Sequence, residues 1–235
     1  MRNHVRRREG HHWGRFFRQT ISGQIHFVGL IAACFALTYL LALARAKGDA
    51  AGTIACLVFG VTAICVFAIS SIYHFVHDGF TISPQLERLF EDLDHFSIYC
   101  FIAGTYTAFL VHGVAPPWQT PMIVIVWSVA TTGILYTRFK SRLPNWMQGR
   151  AVYTSLFVLL GWTLVIRWGE VIRTLSNLQL LFLFGGAASY SIGALVYVTK
   201  KPRLFAGTFG YHELWHMCVL LGASLHYAMV VDFYL

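Results

Sequence analysis

The sequence predicts an all-α protein built as one bundle of seven transmembrane helices. Of its 235 residues 57% are hydrophobic and only 12% charged, a balance too apolar for a water-soluble domain of this length. A hydrocarbon core of about 30 Å needs roughly 20 helical residues to cross it. Seven apolar, nearly charge-free stretches of about that length follow one another along the chain. None alternates with period two, so they read as helices and not as barrel strands.

Taken in order, residues 1–24 form a basic N-terminal tail and residues 25–235 a single membrane domain. Its spans cover approximately Ile25 to Ala44, Gly52 to Val76, Asp94 to Val114, Pro121 to Thr137, Ala151 to Ile166, Gln179 to Thr199 and Tyr211 to Val231. A basic stretch, an apolar run and Ala44-Arg45-Ala46 together resemble a secretory signal. The first apolar run is nevertheless longer than the 7–15 residues of a signal core, and removing it would spoil the charge asymmetry described next. The longest connection, His77 to Leu93, carries Asp78, Glu87, Arg88, Glu91 and Asp92 and is expected to be a polar, partly helical segment at the membrane surface. In the tail, Trp13, Phe16 and Phe17 lie among the arginines from Arg6 to Arg18, a pattern that suits anionic lipid headgroups. A disordered, purely topogenic tail accounts for it equally well. The five cysteines all fall inside apolar spans without Cys-x-x-Cys spacing and read as packing residues.

The net charge of +8 raises the question of nucleic acid, and the placement of the charges answers it in favour of a membrane. Arg2, Arg6, Arg7, Arg8, Arg15 and Arg18 precede the first span, and Arg88 lies between the second and third. Arg138, Lys140, Arg142 and Arg150 follow the fourth, and Lys200, Lys201 and Arg203 follow the sixth. The other side receives only Arg45, Lys47, Arg167 and Arg173. Fourteen basic residues against four place the N-terminus in the cytoplasm and the C-terminus outside, in a multi-pass protein of the inner (plasma) membrane.

An ionisable side chain in hydrocarbon costs about 2.5–3.5 kcal/mol on insertion scales, so each one asks for a reason. With the topology fixed, His74 falls near the cytoplasmic end of the second span. Asp94, His212 and His216 fall near the cytoplasmic starts of the third and seventh, so all four share one level. His212 and His216 are four residues apart, stacked on one helix face with about 6 Å of rise between them. Three imidazoles with an open fourth position make a catalytic type of zinc site, and His74 supplies the third ligand. Iron, copper or nickel would also suit such a set. Asp94 is the carboxylate able to accept a hydrogen bond beside the metal, and Ser70, one turn before His74, is a further hydrogen-bonding group. His226 lies about 15 Å further along the last helix than His216 and reads as structural. His95 points away from Asp94, while His26, His77 and His112 sit at span ends where reaching the interface is enough. Asp232 ends the last span, where water can solvate it.

His212-Glu213-Leu214-Trp215-His216 matches the H-E-x-x-H of zinc peptidases, in which the glutamate is the general base. The only later carboxylate, Asp232, is sixteen residues on and about 24 Å away, so that reading lacks its third ligand. Another match covers more of the chain. Ser70-Ser71-Ile72-Tyr73-His74, Leu93-Asp94-His95-Phe96-Ser97-Ile98-Tyr99 with Ile102-Ala103-Gly104-Thr105-Tyr106-Thr107, and Gly210-Tyr211-His212-Glu213-Leu214-Trp215-His216 with Gly222-Ala223-Ser224-Leu225-His226 resemble the hemolysin III family. This is the bacterial branch of the progestin and adipoQ receptor family, related to adiponectin receptors and alkaline ceramidases. The chain departs from it at Ala108, where proline is common. The resemblance implies a seven-helix bundle with a cytoplasmic N-terminus and zinc on His74, His212 and His216, with Asp94 beside the metal's water and Ser70 close by.

Three functions are compatible with these residues. The first is a zinc-dependent hydrolase that cleaves an amide or ester in a membrane lipid, with Asp94 taking the proton of water and Ser70 steadying the oxyanion. The second is a receptor or sensor whose helices the metal staples together. The third is a pore-forming cytolysin, which the scarcity of charged groups on the outer half of the spans disfavours.

Overall fold

A computed structural model describes residues 2–79, 82–202, 204–205 and 209–235, the side chains of residues 2–20 and 78–79 excepted. Among the described residues eight α-helices form: α1 (Arg2–Ala46), α2 (Ala50–Gly79), α3 (Pro84–Gly113), α4 (Pro116–Phe139), α5 (Arg150–Gly161), α6 (Trp168–Thr174), α7 (Asn177–Thr199) and α8 (Tyr211–Asp232). No β-strand occurs among the described residues, which contain one isolated bridge between Phe205 and Phe209. Among the described residues seven segments are long and apolar enough to cross a membrane: Ile21–Ala46, Ala50–His77, Pro84–Gly113, Pro116–Arg142, Arg150–Thr174, Asn177–Thr199 and Tyr211–Asp232. The fifth combines α5, a 3₁₀ segment (Thr163–Arg167) and α6. The chain is therefore a multi-pass membrane protein.

Consecutive helices pack on one another from α1 to α4, α5 touches α3, α4 and α7, and α8 closes the ring by packing on both α7 and α1. The third span is the most buried. Close approach depends on missing side chains. A Cβ at Gly104 of α3 would lie 2.1 Å from Thr62 Oγ1 of α2. At Gly186 of α7 it would lie 2.3 Å from the His226 ring of α8.

Two sequence expectations gain detail. The polar stretch before the third span is partly helical, because α3 already begins at Pro84. Ser83 caps it by accepting a hydrogen bond from the Leu86 amide at 3.3 Å, and proline occupies the first helical position, where no amide hydrogen is needed. Asp232 is not left to water alone, since it accepts a hydrogen bond from the Gln179 amide at 2.9 Å, tying the start of α7 to the end of α8. The expected headgroup-binding pattern from Arg6 to Arg18, with Trp13, Phe16 and Phe17, falls on side chains outside the described ones.

The break in the fifth span frees backbone groups that hydrocarbon cannot satisfy. Tyr106 of α3 supplies the remedy: its hydroxyl donates to the Gly161 carbonyl at 2.6 Å and accepts from the Leu164 amide at 3.0 Å. Past this mend, Trp162, Val165 and Trp168 remain exposed on the bundle's flank.

Candidate metal centre

The start of α8 places two of the candidate ligands. Gly210 precedes the helix, and its amide donates to Glu213 Oε2 at 2.6 Å, closing the first turn. Glu213 is buried, and its other oxygen accepts a hydrogen bond from Ser22 of α1 at 3.3 Å. The glutamate of the H-E-x-x-H sequence is thus engaged in a helix cap and in an interhelical tie, as an anion at a helix N-terminus should be. With the first turn held in this way, His212 and His216 project from one face, their ring centroids 4.7 Å apart.

His74 comes from α2 to meet them. Its ring lies 5.1 Å from that of His212 and 4.9 Å from that of His216, in each case nearly edge to face. One nitrogen from each of the three rings falls within 4.8 Å of the others. His74 and His216 are buried and His212 half-buried. This cluster could hold a metal ion, and two features of it fit one. Nε2 of His216 is buried without a hydrogen-bond partner, a costly state for an imidazole nitrogen unless something accepts its lone pair. The donor set is also all imidazole, the usual ligand type for zinc and its neighbours.

Ser70, Asp94 and His216 all line a cavity enclosed mainly by aromatic and aliphatic side chains. Ser70 is buried and Asp94, on α3, is half-buried. The cavity continues away from the histidines to Met229 and His226, and on its flank it reaches the exposed Trp162, Val165 and Trp168. His226 lies on its wall, and its Nε2 hydrogen-bonds the Leu183 carbonyl at 3.1 Å, in keeping with a structural role. His95 points elsewhere: its Nδ1 lies 2.7 Å from the Glu91 carbonyl and its ring sits edge-on to Tyr153. His77 pairs with Glu87 at 3.2 Å and His112 with Asp49 at 3.1 Å, both outside the cluster.

One residue was missed. His26 was expected to reach for the interface from the end of the first span, yet it is only 3% exposed, and its Nε2 lies 2.8 Å from Nδ1 of His216. Because α1 is already helical before Ile21, His26 sits more than a turn inside the span. A usable signal exists in the spacing of Ser22, His26, Gly29, Ala33, Leu40 and Ala44, which follows one helical stripe; all six are buried.

The Haemolysin-III related family matches residues 15–227 of the chain. The protein belongs to the haemolysin III family. Hemolysin-3 of Bacillus cereus is 28% identical over 222 residues, covering 94% of each chain. The Hemolysin-3 homolog of Bacillus subtilis (strain 168) is 30% identical over 208 residues, 88% of this chain and 89% of the other. The adiponectin receptor protein of Drosophila melanogaster is 28% identical over 159 residues, which is 62% of this chain and 35% of the receptor. In this haemolysin III protein the matched region contains every residue of the histidine cluster, together with Ser70, Asp94 and His26.

Proposed function

We propose that this haemolysin III protein is a zinc-dependent hydrolase that cleaves an amide or ester bond in a membrane lipid. The observation that carries the reading is the meeting of three imidazoles, one of which, His216, shares with Asp94 the lining of an apolar cavity that reaches the bundle's flank. A zinc ion held by His74, His212 and His216 would supply Lewis acidity, polarising a carbonyl and making water acidic enough to lose a proton near neutral pH.

The protein's own groups account for the remainder. Asp94 takes the proton from the attacking water and passes it to the departing amine or alcohol, and its place on the cavity wall keeps that proton out of bulk solvent. Ser70 donates a hydrogen bond to the carbonyl oxygen as negative charge builds there. The aromatic and aliphatic walls take an acyl chain and exclude water, and Trp162, Val165 and Trp168 mark the side from which a lipid enters. The fourteen basic residues on one side against four on the other support a cytoplasmic N-terminus, with the histidine cluster on the same side, in the plasma membrane. Lysis, which the names of the Bacillus relatives suggest, gains no support from the cavity, because among the described residues Asp94 is the only carboxylate on its wall and neither lysine nor arginine lines it.

The test uses purified protein in liposomes of phospholipid and ceramide, with mass spectrometry of the lipid products. Asp94→Asn should retain one metal ion per chain while turnover falls by about 10²–10⁴-fold, the range usual for loss of a general base. Wild-type turnover in that variant would remove Asp94 from the chemistry. A metal-loaded wild type that cleaves neither amide nor ester lipids would end the hydrolase reading.

A further inference from the structure

We propose that His26, on α1, is a positioning residue of the metal centre, the hydrogen-bond acceptor that fixes the tautomer and ring orientation of His216. The inference rests on metal binding by the histidine cluster. Nε2 of His26 lies 2.8 Å from Nδ1 of His216, and the two rings stand edge to face with centroids 4.1 Å apart. Two neutral imidazoles make such a bond only if one donates and the other accepts. Because Nδ1 of His216 is occupied in this way, the atom left to bind an ion is Nε2, which is buried and has no hydrogen-bond partner. A neutral ring that ligates through Nε2 carries its hydrogen on Nδ1, so His216 donates and His26 accepts.

The surroundings hold this geometry in place. His26 is buried and sits edge-on to Phe67 of α2, with ring centroids 5.3 Å apart. One turn earlier on α1, Ser22 binds Glu213, which lies three residues before His216 on α8. Two rungs, Ser22 to Glu213 and His26 to His216, therefore join the same faces of the two helices. The first anchors the start of α8 and the second aims a ligand. Metal-bound histidines commonly donate their second N–H to a carbonyl or carboxylate. Here the acceptor is a neutral imidazole, which orients the ring without adding negative charge to the ion's surroundings.

The experiment is metal titration of the full-length protein in detergent, using the visible absorption of Co²⁺ and competition for Zn²⁺ with a chromophoric chelator. His26→Phe keeps a flat aromatic ring and loses the acceptor, and it should bind both ions roughly 10–100-fold more weakly. His26→Gln, whose amide oxygen can take the place of Nε2, should recover most of that loss. Melting temperatures of the metal-free proteins are recorded alongside, because a merely structural role would lower them and would leave Gln no better than Phe. In the wild type with ¹⁵N-labelled histidine, a through-hydrogen-bond coupling should link Nδ1 of His216, bearing the proton, to Nε2 of His26, a reading that requires no variant to fold. Wild-type affinity in His26→Phe, equal loss in Phe and Gln, or a proton on Nε2 of His216 overturns the assignment. A wild type that takes up no metal at all instead overturns the metal reading on which it stands.

Discussion

The two ends of the bundle both gather polar side chains against apolar surroundings, and they settle them in opposite ways. At the end that carries the C-terminus the groups answer one another. His112 Nε2 lies 3.1 Å from both Asp49 Oδ2 and the Tyr234 hydroxyl, and Cys56 donates to that hydroxyl at 3.5 Å. Asp49 also accepts from the Gly52 amide at 2.9 Å. Nearby, Glu170 takes two hydrogen bonds from Arg167 and one from the Ala115 amide. At the other end three imidazoles turn ring edges towards a common point, and His216 keeps a buried nitrogen with nothing to bind. A network closed on itself holds helices together, whereas a buried acceptor left open on His216, where two further imidazoles converge, suits something that arrives from outside.

The largest effect that could break this contrast is on metal content. His212→Ala should reduce the bound metal from about one ion per chain to near zero by elemental analysis, because two imidazoles seldom hold zinc against water. His112→Ala, at the closed end, should keep the full complement. Equal loss from both would mean that the two ends do not differ in kind. Next in size is the effect of chelation. Stripping the metal should lower the melting temperature of the wild type by several degrees, since a ligand at 100 times its Kd contributes about 2.7 kcal/mol. His216→Ala should melt at the same temperature with and without chelator. The smallest effect separates Glu213 from the chemistry. Glu213→Gln should cost about 1 kcal/mol, the usual worth of a helix cap, with metal content and lipid turnover both retained. Loss of turnover with the metal still bound would return Glu213 to the role that the H-E-x-x-H sequence suggests.

Much of this was legible without coordinates. The seven spans follow from length and polarity alone, because hydrocarbon tolerates so few charges that each polar interval marks a boundary. His74, His212 and His216 could be brought together because spans of alternating direction assign every residue a depth, and His212 and His216 share a helix face by their spacing. Depth could not say which faces turn towards each other. His26 lies only five residues beyond Ile21, where the first membrane-crossing segment begins, and a span taken to start at Ile25 made it an end residue. The start of α3 was hidden for a related reason. Glu87, Glu91 and Asp92 marked the segment as polar, and polarity argued for a loop although Ser83-Pro84 is a sound helix start. The break in the fifth span left no mark in the hydrophobic pattern, because what makes it tolerable is a tyrosine hydroxyl from α3.

His74 is borne by the second span and His212 and His216 by the last, so the chelate joins parts of the chain that leave the ribosome far apart in time. No ion can be gripped until α8 has entered the bilayer and docked against α1 and α7. On the proposed metal reading, loading would be a late step of biogenesis, and a chain truncated before Tyr211 would reach the membrane without two of the three imidazoles.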